Sequence, residues 1–168
     1  MSPLEFPTEK ECRWLVDQGV DPDALIQPGP IRAASVTFFR DAFDFDADGQ
    51  RALLFLEERD AIAWQPTRGL LRPWRGVAFA LNEEAIFNPG TYFAGGALRV
   101  HATPLEWLQA GREGIVIVQH RYDYAMLRHA PRLSFQTEGH ARAVQARMQP
   151  PKVQNKFLVE QTAEGIAA

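Results

Sequence analysis

The amino-acid sequence predicts an α+β protein. A mostly antiparallel sheet over about residues 31–87 is extended by a strand–helix–strand unit at 98–119 and flanked by helices at the two ends of the chain. Three observations carry this reading. A capping signature, Thr8-x-x-Glu11, opens an amphipathic helix near the N-terminus. From Ile31 onward the apolar residues fall in short runs divided by Gly, Pro and Asp turns, as in a meander of strands. At Leu98–Gln119 a strand period gives way to a capped helix and then to a β-branched run.

The first helix is expected from about Glu9 to Gln18, with Cys12, Leu15 and Val16 on its apolar face and Gly19 as its stop. Asp21-Pro22-Asp23 starts a second helical turn carrying Ala24, Leu25 and Ile26. Gln27-Pro28-Gly29-Pro30 then breaks the chain, because each proline disfavours helix at the residue before it. Strands are expected at 34–39, 43–45, 52–57, 61–64 and 76–81, the second and third joined by the Asp46-Ala47-Asp48-Gly49 turn. Turns are expected around Pro66 and Gly69 and at Arg72-Pro73-Trp74-Arg75. A loop with Tyr92 and Phe93 follows.

In the 98–119 unit, Leu98, Val100 and Ala102 alternate with Arg99 and His101, the pattern of a half-buried strand. Thr103 fits an N-cap, Pro104 the first helical position, Glu106 the third, and Gly111 a left-handed stop. Ile115-Val116-Ile117-Val118 suits a strand covered on both faces. The helix of about two turns fits a right-handed parallel crossover, with an antiparallel placement of the second strand as the alternative. Beyond it, 122–130 reads as a helix ended by Pro131, 133–135 as a short strand, 138–148 as a helix and 153–159 as a closing edge strand. The domain expectation is one unit over 1–168, with 1–27 as a helical cap, 31–160 as the body and 161–168 as a frayed tail.

Composition is that of a soluble globular chain, with no apolar run near the length of a membrane span. Cys12 is the only cysteine, so an internal disulfide is excluded, and the absence of a basic, apolar leader makes the cytoplasm the expected location. Charge is unevenly laid out. Residues 1–60 carry thirteen Asp/Glu against six Lys/Arg, whereas 120–156 carry seven Lys/Arg against two acids. Fifteen of the eighteen cations are arginine, which suits phosphate or carboxylate recognition but also follows from a GC-rich coding sequence.

The chemical motifs are weak. Asp44-x-Asp46-x-Asp48-Gly49 begins like a calcium loop, but the twelfth position is Phe55 where that loop needs glutamate, so an acidic hairpin turn is the better reading. His101, His120, His129 and His140 lack metal-ligand spacing, and neither a metal nor a cofactor is expected. There is no nucleophile elbow around Ser134, no phosphate-binding glycine motif and no zinc-protease motif. The 98–119 unit loosely resembles the core of Toprim-type nucleotidyl folds but lacks their acidic residues, and that resemblance is not adopted.

Two leads remain. The basic segment places Arg121, Arg128, Arg132, Arg142, Arg147, Lys152 and Lys156 among Tyr122, Tyr124, Phe135 and Phe157, a mixture able to hold phosphates and stack on bases. The leading expectation is therefore a small non-catalytic binding or accessory protein whose protein or nucleic-acid partner is engaged partly through 120–156. Alternatively, this basic region docks on the acidic first sixty residues, within the molecule or in a second copy. The other lead is enzymatic, a hydrolase or transferase with His120, Asp123 and His101 around a cleft at the carboxyl ends of strands. A third expectation is an oligomer-forming structural component anchored by Trp64, Trp74 and the Tyr92-Phe93 loop, against the plainer reading of those aromatics as core.

Overall fold

The structure, a computed structural model, describes residues 4–150. Its helices and strands confirm an α+β fold with two sheets. The first is a five-stranded antiparallel sheet, ordered β2-β1-β3-β4-β5 from Arg32–Phe38 (β1), Phe43–Phe45 (β2), Gln50–Leu56 (β3), Ala61–Gln65 (β4) and Leu70–Pro73 (β5). The second is a mixed sheet, ordered β6-β8-β7-β9 from Ala80–Leu81 (β6), Leu98–His101 (β7), Ile115–Ile117 (β8) and Leu133–Phe135 (β9). Four α-helices accompany them: Glu9–Asp17 (α1), Pro104–Gln109 (α2), Asp123–Leu127 (α3) and Glu138–Arg147 (α4). Among these residues no helix is long and apolar enough to cross a membrane.

Alternating side chains build three apolar layers. On one face of the first sheet, Leu53, Phe55, Ile62 and Trp64 meet Leu15 of α1, Trp107 and Leu108 of α2, and Leu81 and Val116 of the second sheet. On the other face, Val36, Leu54, Ala61 and Ala63 gather around Phe43 and the half-buried Trp74. The far side of the second sheet, with Leu98, Val100, Ile115 and Ile117, is covered by Leu127 of α3 and Val144 of α4. β8 is thus buried on both faces, as its β-branched run requires.

Local signals act as the sequence implies. Thr8 and Glu11 close the capping box of α1, and Gly19 leaves it at φ 86°. Thr103 accepts from the Glu106 N–H, while the Glu106 carboxylate accepts from Ala102 N–H instead of the N-cap itself. β7 and β8 pair in parallel through α2, which resolves the pairing in favour of the crossover. Gly114 is needed there, because a Cβ at its φ of 83° would lie 2.4 Å from Arg99 O.

Three local expectations are corrected. The stretch 76–81 contributes only Ala80–Leu81 as strand, and it pairs with β8 in the second sheet. The reason is Asp60: its Oδ1 accepts from Ala61 and Arg75 N–H and its Oδ2 from Val77 and Ala78 N–H, at 2.8–2.9 Å. Those amides are therefore not free to form a ladder. Leu70–Pro73, left between two expected turns with Arg72 and Pro73 inside the second, is strand β5; it lies at the sheet edge, where proline is tolerated. Helix α3 is shorter than 122–130, since His120–Tyr122 forms a 3-10 turn and tightened bonds end the helix before Pro131. The expected strand at 153–159 and tail at 161–168 lie outside the described residues.

Candidate functional site

The parallel strands β7, β8 and β9 end on one side of the second sheet, where both leads converge. Val118 and Gln119 N–H groups donate to Phe79 O, and the Gln119 amide donates to Gly76 O and Ala78 O. With its end so fixed, the chain turns through His120–Tyr122 into α3 and delivers Asp123 to a fully buried position. There Asp123 Oδ2 accepts from Arg147 Nε at 2.7 Å, the arginine reaching in from the last turn of α4. His120 Nδ1 lies 3.4 Å from the same oxygen, with its side chain about half exposed. Asp123 Oδ1 is buried and has no partner among the described residues.

His101 is not part of that contact. Its Nε2 lies 2.9 Å from Glu113 O, and the residue lines a cleft with Glu106, Ser134 and Phe135. His140, on α4, sets its ring edge-on to Phe135 with centroids 5.2 Å apart. Burial holds the His140 pKa below the ordinary histidine value, and the charges of Arg147, His120 and His101 add to the lowering while Glu106 opposes it. His120 and Asp123 are therefore brought together, and among the described residues no hydrogen bond or ion pair joins His101 to either.

The basic segment divides into two groups. Arg147 is committed to Asp123, and Arg142 bonds Glu138 one turn away on α4. Arg121, Arg128 and Arg132 are exposed and make no ion pair among the described residues. Arg121 lies over the Tyr122 ring at 4.8 Å and bonds Gln119 Oε1, while Arg128 lies 6.0 Å from the Tyr124 centroid. Arg132 donates to Gly95 O at the end of the loop that carries the exposed Phe93. Nearby, His129 packs on the exposed Phe87, centroids 5.5 Å apart. Lys152 and Lys156 lie outside the described residues.

None of these arginines pairs with the acidic first sixty residues; Glu5 and Glu11 instead bind Arg51 of β3. The acidic hairpin uses its own carboxylates. Asp46 accepts from the Thr37 hydroxyl and Asp48 N–H, and Asp44 accepts from Phe45 N–H and, at 3.4 Å, from the Trp74 indole. Of the aromatic residues considered as oligomer anchors, Trp64 is buried and Trp74 half-buried, and the half-buried Tyr92 donates its hydroxyl proton to Ile86 O. Phe93 alone among them is exposed.

Sequence reasoning passed over Arg112 and Glu57. Arg112, just after the Gly111 stop, is 9% exposed and adopts φ 64°, an unfavourable conformation for a side-chain-bearing residue. Its only sequence signal is the spacing Gly111-Arg112-Glu113-Gly114, an arginine where glycine or asparagine fits a left-handed turn best. No family model, curated protein or solved structure matches the chain.

Proposed function

We propose that the protein is a small non-catalytic binding or accessory protein that engages an anionic partner, a nucleic acid or an acidic protein surface, through Arg121, Arg128 and Arg132. One observation carries this reading. Between 120 and 137 the only acid is Asp123, and it is buried and bonded to Arg147, so these three exposed arginines share the segment with no exposed carboxylate. Two of them rest against tyrosines, which holds the guanidinium planes and offers rings for stacking. Arg142 and Arg147 act inside the molecule in this reading, one along α4 and the other holding α4 to Asp123.

The test is fluorescence anisotropy with single- and double-stranded oligonucleotides and an acidic peptide across a salt series. A partner bound this way dissociates as salt rises, and the Arg121/Arg128/Arg132→Glu variant loses the binding while Arg142→Glu keeps it. Salt-independent binding, or equal loss in the two variants, contradicts the reading.

A second reading rests on the 3.4 Å approach of His120 to a buried carboxylate, the arrangement that orients a general base. It requires His120→Ala to abolish hydrolysis of some small activated ester or phosphate by the wild-type chain. Activity equal in the two proteins would refute it.

A further inference from the structure

A second site, independent of the arginine surface, lies where the two sheets meet the N-terminal loop. A cleft of about 230 Å³ opens between Pro28–Ile31, the end of β3 and the turn after α2. That is smaller than the roughly 300–1,000 Å³ of pockets for drug-sized ligands, and it is sized for a small metabolite. Ile31, Phe55 and Trp107 supply apolar walls, with the Phe55 and Trp107 rings edge-to-face at 5.5 Å. Glu57, Asn82 and Arg112 supply the polar groups.

Of the two charges in this cleft, Arg112 is buried and incompletely satisfied, and Glu57 is half-buried. Arg112 Nη1 donates to Gly29 O at 2.8 Å, and the guanidinium carbon stands 5.5 Å from the Trp107 ring centroid. Its Nε and Nη2 are buried without a hydrogen-bond partner among the described residues. These two nitrogens form one edge of the guanidinium, the edge that takes a carboxylate in two parallel hydrogen bonds. Glu57 Oε1 accepts from Asn82 N–H at 3.1 Å, and the glutamate forms no ion pair with Arg112. Burial raises the Glu57 pKa, opposed by Asn82 N–H and Arg112, and lowers that of Arg112, opposed by Glu57, while no direct ion pair joins the two.

The backbone singles out the same place. Arg112 at φ 64° and Asn82 at φ 55° are two of the three non-glycine residues with positive φ among the described residues. Both line the cleft, and the Asn82 amide donates to Gly114 O at 2.9 Å. An arginine is therefore held in a conformation that glycine adopts more easily, with its head group turned inward.

We propose that this cleft binds a small aliphatic α-amino acid, its carboxylate on the Nε–Nη2 edge of Arg112, its ammonium on Glu57 and its side chain against Ile31, Phe55 and Trp107. A lone anion would meet Glu57, reinforced by the charges of Glu83 and Glu84, and a lone cation would meet Arg112. A zwitterion satisfies both. Arg112 Nε and Nη2 are closed to solvent, so the proposal requires the guanidinium to turn toward the cleft when the ligand binds.

Calorimetric titration of the full chain with L-leucine, 4-methylpentanoate and 3-methylbutylamine tests the proposal, with amide NMR shifts to locate binding. Saturable leucine binding is expected, with shifts at Gly111, Arg112 and Asn82 and much weaker binding of the two singly charged analogues. Glu57→Gln and Arg112→Lys each weaken leucine binding by about ten-fold or more, as expected when one partner of a buried charge pair is removed. Glu57→Gln keeps the test decisive if Arg112→Lys does not fold, since it removes a half-buried charge without changing the side chain's size. No saturable leucine binding at millimolar concentration overturns the proposal. So does methylpentanoate binding as well as leucine, or unchanged affinity in Glu57→Gln.

Discussion

Asp60, at the head of β4 in the first sheet, and Asp123, beyond β8 in the second, are both buried carboxylates, and they are satisfied differently. Asp60 has four amide donors, two on each oxygen. Asp123 has Arg147 and His120 on one oxygen and no partner on the other. The wider pattern follows this contrast. Four buried side-chain polar atoms lack partners among the described residues; Gln65 Oε1 belongs to the first sheet, while Arg112 Nε, Arg112 Nη2 and Asp123 Oδ1 lie around the second. A closed hydrogen-bond network fixes structure, whereas groups with unused capacity are where a ligand or partner can contribute. On this account the antiparallel sheet is mainly scaffold, lending only the end of β3 to the Arg112 cleft, and the margins of the mixed sheet carry the groups with unused capacity.

The contrast is broken most sharply at Asp60. Asp60→Ala leaves four amides without their acceptor, and urea denaturation should show a loss of about 3 kcal/mol or more. Burial works to raise the Asp60 pKa, but the amide donors outweigh it and hold the carboxyl below the ordinary aspartate value. The sign follows: this stability is present above the unfolded-state pKa and is lost as pH falls through the lower folded value. An acid titration of stability should therefore be flatter for Asp60→Ala than for the wild type.

Asp123→Asn is expected to cost less, about 2 kcal/mol for a charge-assisted bond to a partly exposed arginine. Hydrogen exchange should show the loss confined to α3 and α4, with β1, β3 and β4 unchanged. Uniform loss across both sheets would erase the distinction between them.

Glu57 should act in the opposite direction. Burial raises its pKa, aided by Glu83 and Glu84 and opposed by Asn82 N–H and Arg112. Folding thus favours the protonated form, and stability falls as pH rises from the ordinary glutamate pKa through the raised one. Glu57→Gln should melt at higher temperature than the wild type at pH 8 and lose this part of the pH dependence. The smallest effect is expected for Arg142→Ala, since the exposed Arg142–Glu138 pair on α4 should shift stability by about 0.5 kcal/mol or less.

What the sequence made legible was local. Capping residues at Thr8 and Thr103, the stops at Gly19 and Gly111, the Asp-Gly turn and the β-branched run at 115–118 act within a few residues of themselves. Their elements form where the pattern puts them. Asp60 was illegible because its acceptors serve amides at 75–78, and that long-range contact redirects 76–81 from the first sheet to the second. The candidate site divides in the same way. His120 beside Asp123 follows from three-residue spacing, whereas Arg147 on Asp123 and Arg112 on Gly29 span 24 and 83 residues. Nothing in the local pattern near residue 112 marks a buried arginine apart from two adjacent glycine turns.

The central claim is that an anionic partner binds along 119–132, beside the second sheet, while the first sheet takes no part in that contact. Amide hydrogen exchange with and without a saturating single-stranded oligonucleotide tests it most directly. The account predicts added protection within 119–132 and unchanged exchange through β1–β5, with the difference abolished in Arg121/Arg128/Arg132→Glu. Protection centred on β1–β5, or no change anywhere in the described residues, would contradict it.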